Sequence, residues 1–381
     1  MLSNKNNVIA LTVSLLLLFI SLLAVFHAPT YLLWKLTVAV TEFPHAFMAA
    51  ALLCLIIPRT GTTQAIVSYS INAIALLLFC TPLLRAQSII SDLPAELNTA
   101  FIHQQSKESP YGFLKMLQGN SFAEMPFHTL VYGQRPQKDL TLDFYAPSRP
   151  SRKPCIVVIH GGSWSSGDSR QLPALNSYLA GKGYPVAAIN YSLAPGAIYP
   201  AQVQDTRKAL EYLKAHAKEL QIDADDFVLL GRSAGGQIAL TAAYTFGDPA
   251  IKGVIAYYAP ADMIWGYSVP GNPLIMDSRK VMEDYLGGTY EQAKSNFYDS
   301  SPIEFAGAGS PPTLLIHGRR DELVAWEHSR RLNEKLKANG VPHFLLTLPW
   351  ATHGCDFNLS GPSGQLSTYA VEAFLNNLQK S

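Results

Sequence analysis

The apolar positions of the chain are concentrated before Arg85. Val8 to Phe26 is an unbroken apolar run without a charge, long enough to cross a bilayer core as one helix. Leu36 to Ile57 is a second candidate, interrupted by Glu42, Pro44 and His45, and Ala65 to Leu84 is a third, with Asn72 as its most polar member. The pattern therefore predicts about three transmembrane helices (8–26, 36–57, 65–84) within a membrane-anchoring region, residues 1–90. A cleaved signal peptide would explain only the first run, and no clear small-x-small cleavage site lies near Phe26-His27-Ala28. Ionisable groups are costly inside a bilayer, so Glu42 and His45 either mark an intramembrane site or show that the second segment starts later or lies partly in the interface. The second reading is preferred.

Leu93 to Asn120 has mixed charge and weak helical periodicity, which predicts a linker over 91–125. From Pro126 the pattern changes to short strands. Phe127–Tyr132 and Leu140–Tyr145 form a predicted hairpin, and Cys155-Ile156-Val157-Val158-Ile159 suits a strand buried on both faces. Strands are predicted around Pro185–Asn190, Phe227–Leu230, Gly253–Tyr258, Pro312–His317 and His343–Leu348, with helical segments between them. Alternation of this kind predicts an α/β domain over 126–381, built on a mostly parallel sheet with helices on both faces. Ala259 to Ser301 breaks the rhythm with Trp265, Tyr267, Met276, Met282 and Tyr285, and is expected to be a cap-like insertion that shapes a pocket.

Composition narrows the partners. The formal net charge is +1 over 381 residues, so nothing suggests a nucleic acid partner. The four cysteines show neither C-x-x-C nor metal-ligand spacing, and no metal site or cofactor is expected. Lys5 and the terminal amine favour a cytoplasmic N-terminus with Arg59 in a second cytoplasmic loop, although Lys35 and Arg85 then fall on the opposite side. An odd number of spans places the C-terminal domain of this expected integral membrane protein on the extracytoplasmic side.

The chemistry gathers at strand ends. Gly231-Arg232-Ser233-Ala234-Gly235 follows a predicted strand and matches G-x-S-x-G, in which small residues let neighbouring backbone approach a serine held on a sharp strand-to-helix turn. His160-Gly161-Gly162-Ser163-Trp164 ends another strand, where backbone N–H groups can face a developing oxyanion together with that of Ala234. Asp321, preferred over Glu322, lies after the next-to-last strand, and His353 lies after the last. Asp205 and Arg207 read as surface or packing-support residues.

From about Phe127 onward the chain resembles an α/β-hydrolase of the esterase/lipase group, closest to the hormone-sensitive-lipase-like and BD-type carboxylesterase branch. The residues that carry the resemblance are His160-Gly161-Gly162-Ser163-Trp164, Gly231 to Gly236, His317-Gly318-Arg319-Arg320-Asp321 and His353-Gly354. It implies Ser233 as nucleophile, His353 as base, Asp321 as acid, and an oxyanion hole from Gly162, Ser163 and Ala234. The expected reaction is hydrolysis of a small-molecule or lipid-like carboxylic ester through an acyl-enzyme. An amidase or peptidase on the same fold, and a non-catalytic membrane-anchored binding module, are the alternatives. Two departures stand out: Ser163 replaces the third glycine of the branch, and Arg232 replaces a small, acidic or amide residue.

Overall fold

The computed structural model describes residues 2–57, 63–101, 109–119, 123–135, 138–147 and 152–378, so the predicted loop carrying Arg59 lies outside the described residues. Eight strands form one sheet: β1 (His128–Arg135), β2 (Lys138–Tyr145), β3 (Cys155–Ile159), β4 (Val186–Ile189), β5 (Phe227–Arg232), β6 (Ile251–Tyr257), β7 (Thr313–Gly318) and β8 (His343–Leu348). Their spatial order is β1-β2-β4-β3-β5-β6-β7-β8. β2 runs antiparallel to both β1 and β4; β4, β3 and β5 to β8 are mutually parallel.

The unbroken apolar strands have a simple cause. Along β3, Cys155, Val157 and Ile159 join one buried cluster, whereas Ile156 and Val158 join another on the opposite face. Every position is therefore dry, as a sheet covered on both sides requires. In chain order the N-terminal helices are α1 (Leu2–Leu22), α2 (Tyr31–Glu42), α3 (Pro44–Ile56), α4 (Thr63–Ile90), α5 (Leu93–Phe101) and α6 (Phe113–Gln118). Those following β3 are α7 (Ala174–Gly181), α8 (Ala201–Ala215), α9 (Ala217–Leu220), α10 (Ala234–Thr245), α11 (Met263–Ser268), α12 (Ser278–Leu286), α13 (Lys294–Asp299), α14 (Pro302–Phe305), α15 (Glu327–Ala338) and α16 (Pro362–Leu378). Helices α8, α10 and α15 cover one face of the sheet; α7, α16 and α5 cover the other.

The stretch expected to link the two regions is packed. Leu93, Leu97 and Phe101 of α5 are buried in the second cluster, with the Phe101 ring edge-on to Phe374 of α16 at 5.1 Å. These apolar residues recur at every fourth position, a stripe that a nine-residue helix buries on one side.

The N-terminal apolar segments give fewer clear spans than expected. Among the described residues only α4 is long and apolar enough to cross a membrane; α2 and α3 would make a second span only if taken together, and they meet at 85°. The apolar part of α1, Asn7–Leu22, is shorter. The break comes at Phe43, where Pro44 opens α3; proline suits a first helical turn because it has no N–H to lose, and it cannot continue the preceding helix. Helices α1, α3 and α4 share a buried core that includes Leu17, Ala51, Ala75 and Phe79. Ser14 Oγ lies 2.6 Å from Ser68 Oγ and accepts from Asn72 Nδ2, which joins α1 to α4. Outward from this core stand Ile9 (62 % exposed), Leu53 (58 %), Ile66 (66 %) and Leu77 (67 %).

Helix α2 lies against the α/β domain. The Glu42 carboxylate accepts from the N–H (3.1 Å) and the hydroxyl (2.6 Å) of Ser363 at the start of α16. The side-chain oxygens of Glu42 satisfy donors at a helix start that has no intrahelical acceptors. Glu42 is thus a strut between α2 and α16.

Candidate active site

The five loops that follow β3, β5, β6, β7 and β8 meet at the carboxyl edge of the parallel strands. Ser233 sits between β5 and α10 with φ 53° and ψ −122°, a left-handed conformation costly for a residue with a Cβ. Its surroundings account for the motif. A Cβ on Gly231 would stand 2.1 Å from the Gly235 carbonyl oxygen, and one on Gly235 would stand 2.2 Å from that of Ile159. Only glycine fits at either place.

Ser233 Oγ is 2.9 Å from His353 Nε2, and His353 Nδ1 is 2.7 Å from Asp321 Oδ2. The other oxygen of Asp321 accepts from the backbone N–H groups of Leu323 (2.9 Å) and Val324 (2.8 Å). His317 adds a second imidazole, its Nε2 3.2 Å from Asp321 Oδ2. Burial pushes the Asp321 carboxyl up, but the facing imidazoles of His353 and His317 outweigh it and hold the group well below the usual carboxylate range. Asp321 therefore stays ionised and orients the His353 ring. The order acid–imidazole–hydroxyl can move a proton from Ser233 to His353 Nε2.

The loop after β3 approaches from the other side. Gly162 has φ 112°, and a Cβ there would fall 2.1 Å from the Ser166 carbonyl oxygen, so the turn excludes any side chain at this position. Ser163 and Trp164 continue it at φ 54° and 58°. The departure from glycine at position 163 is thus tolerated in a conformation that glycine would adopt more cheaply. The Trp164 indole donates to Gln237 Oε1 of α10 at 2.9 Å and stacks on Tyr285 of α12 at 4.3 Å. Ser163 and Ala234 line the same cavity as Ser233, about 230 Å³ in volume, and Val269, Met276, Val281 and Met282 of the 259–301 insertion form its apolar wall.

Several partners have no signal in the motifs. Arg232 points away from the cavity: its Nε is 2.5 Å from Asp356 Oδ2, and Tyr258 donates its hydroxyl to Asp356 Oδ1 at 2.5 Å. Burial weakens the guanidinium, but Asp356 more than restores it, so Arg232 remains charged. Glu322, one residue past Asp321, turns aside to accept from the Ala28 N–H at 2.9 Å and from the Thr352 hydroxyl. Arg320 donates to the Leu23 carbonyl at 3.1 Å and to that of Phe26, and burial pushes its pKa down to about 10. The Trp34 indole of α2 donates to the His353 carbonyl at 3.2 Å. Asp205 supports the fold by accepting from Arg135 and from the Ser192 N–H. Among the described residues no group of His, Cys, Asp and Glu side chains could hold a metal ion.

Known proteins share this arrangement to different extents. The probable carboxylic ester hydrolase LipM of Mycobacterium tuberculosis is 28% identical over 257 residues, covering 64% of this chain and 56% of its own length. Esterase LipC of the same organism is 29% identical over 274 residues, covering 66% and 65%. The chain thus spans between half and two thirds of the length of these curated relatives. A solved bacterial heroin esterase has the same fold at 21% identity and a TM-score of 0.59, covering 77% of this chain and 92% of its own. The BD-FAE family matches residues 142–336, just over half of the chain and all of the sheet from β3 to β7, so the protein belongs to that family of α/β-hydrolases in the esterase/lipase group.

Proposed function

We propose that the protein is a serine hydrolase that cleaves carboxylic esters through an acyl-enzyme. One observation carries the reading: Ser233, His353 and Asp321 stand in a continuous relay of 2.9 and 2.7 Å at the wall of an apolar cavity. His353 accepts the Ser233 proton as Oγ attacks the ester carbonyl, while Asp321 fixes the ring and stabilises the imidazolium. The N–H groups of Gly162, Ser163 and Ala234 receive the oxyanion, the charge whose stabilisation contributes most to such reactions. His353 then protonates the leaving alkoxide, and water, deprotonated by the same imidazole, releases the acid. An amide substrate would use the same steps; the names of the two curated relatives favour an ester. A purely binding role would leave no reason for the relay to be complete. Ser233→Ala is expected to lower ester hydrolysis by about 10⁴-fold or more and abolish fluorophosphonate labelling. Full activity in that variant would end the reading.

The same proposal anchors the chain in a membrane through α1, α3 and α4. Support comes from the apolar side chains of Ile9, Leu53, Ile66 and Leu77, which face outward from a bundle whose polar groups pair inside it. The C-terminal end of α1 reaches Arg320 and that of α4 reaches Pro349 through Arg85, so the α/β domain sits at one end of the bundle. With Lys5 at the other end, that domain is extracytoplasmic. Resistance of the protein to alkaline carbonate extraction, and digestion of the domain by protease added to intact cells, are the expected outcomes.

A further inference from the structure

The reading of a membrane-anchored ester hydrolase leaves the ester unnamed; the mouth of the cavity narrows it. The segment joining α1 to α2 runs along the rim as part of it. Asn272 donates to the Pro29 carbonyl at 3.0 Å, and the Tyr31 N–H donates to the Leu274 carbonyl at 3.2 Å. Ala28 meets Glu322, which itself lines the cavity, as do Val269 and Gly271 of the insertion. The chain therefore passes the cavity at the level where it leaves α1 and before it bends by 85° into α3.

That level has the character of a membrane interface. With α3 and α4 along the bilayer normal, the 85° bend lays α2 close to the plane of the surface. Its first turn and a half carries Tyr31, Trp34 and Lys35, with the Lys35 ammonium 4.6 Å from the Tyr31 ring. Tyrosine, tryptophan and lysine together are the usual occupants of the headgroup layer. Large apolar side chains stand bare along the same seam: Phe26 (60 % exposed) and Leu32 (76 %) on one side, Val269 (54 %) and Leu274 (69 %) on the other. Leaving them in water is costly, at about 25 cal/mol for each Å² of apolar surface. They continue the outward apolar surface of the bundle up to the cavity mouth.

We propose that this rim contacts the bilayer and that the cavity takes a lipophilic ester directly from it, one whose hydrocarbon chain remains in the facing leaflet until its carbonyl reaches Ser233. The apolar wall of Val269, Met276, Val281 and Met282 receives the chain, and the two methionines can adjust to its shape. A soluble ester would reach the same serine without using the rim.

The test uses the full chain reconstituted in phosphatidylcholine vesicles. Leu32→Glu and Leu274→Glu change exposed positions that do not line the cavity. For each, kcat/KM toward a long-chain ester held in the vesicles is expected to fall tenfold or more. Hydrolysis of a short water-soluble ester by the same preparation is expected to change less than twofold. Equal losses on both esters, or none on either, would overturn the proposal. A second measurement is independent of activity: benzoylphenylalanine placed at Leu274 is expected to crosslink to phosphatidylcholine on illumination, and the same probe at Lys252 is not. Absence of the crosslink at Leu274 overturns the rim, whereas loss of short-ester hydrolysis in the wild type would overturn only the ester-hydrolase reading.

Discussion

One buried aspartate faces His353 and another follows it in the same loop, and they are held in opposite ways. Asp321 meets the imidazoles of His353 and His317 and two backbone N–H groups. Asp356 meets the permanent charge of Arg232 and the hydroxyl of Tyr258, whose ring centroid is 4.4 Å from that of His353. In the proposed reaction Asp321 faces the imidazole that would take the Ser233 proton, whereas Asp356 already faces a permanent charge. Arg232, next to Ser233 in sequence, therefore adds no net charge to the cavity; it ties the turn after β5 to the loop that carries His353.

Exchanging either carboxylate for its amide should separate the two roles. Asp321→Asn is expected to reduce kcat by about 10⁴-fold, because the amide cannot favour the imidazolium or hold the correct tautomer. Chemical denaturation of the same variant should show a much smaller loss. Asp356→Asn should reverse the balance. It leaves a buried guanidinium without its counter-charge, an imbalance that costs about 3–5 kcal/mol in unfolding experiments, while kcat of the folded protein falls less than tenfold. If both variants lost activity alike with little change in stability, Asp356 would be a second acid, and the division drawn between them would be wrong.

The chemical half of this comparison was legible in the sequence, and the supporting half was not. Gly231, Gly235 and Gly162 announce themselves because sterics leave no alternative at those positions, and Asp321 and His353 follow from where the strands end. The Asp356 partnership with Arg232 crosses 124 positions, and no local pattern encodes it. His317 was visible in the motif, but its place beside Asp321 depends on how the turn after β7 closes. The β3 to β8 strands were legible from their apolar runs. The break between α2 and α3 was signalled by Glu42 and Pro44, yet the destination of Glu42, the first turn of α16, is a tertiary fact. Hydropathy likewise records three similar runs, 8–26, 36–57 and 65–84, although the second is split between α2 and α3 by the 85° bend.

A buried imidazole without a facing carboxylate bond sharpens the contrast. His328 accepts the Asp262 N–H at its Nδ1 (3.2 Å), and burial, reinforced by His317, pushes its pKa down to about 3. Its partners Asp262 and Arg331 pair with each other. The unfolded chain takes up this proton near pH 6.5, the folded one only near 3, so stability is present above pH 6.5 and is lost as pH falls toward 3. The expected slope is about 1.4 kcal/mol per pH unit. His328→Gln, which keeps an acceptor, should flatten it by about one proton. Asp321 adds its own loss only at lower pH: its stabilisation is present above the unfolded carboxyl value of about 3.9 and declines below it, toward its depressed folded value.

The smallest expected effect bears most directly on where the site ends. Trp34 belongs to the N-terminal unit, yet its indole N–H reaches the backbone carbonyl of His353, the residue that must hold its ring within hydrogen-bonding distance of both Ser233 and Asp321. Trp34→Phe keeps an aromatic ring against α2 and removes only the donor, a bond worth about 1 kcal/mol. If the N-terminal unit helps to set the imidazole, kcat on a soluble ester should fall about fivefold with KM unchanged, since that free energy is lost from the transition state alone. Thermal melting should move by no more than a few degrees. If the unit is only a tether, kcat stays at the wild-type value, and the boundary between anchor and enzyme lies between α2 and the His353 loop.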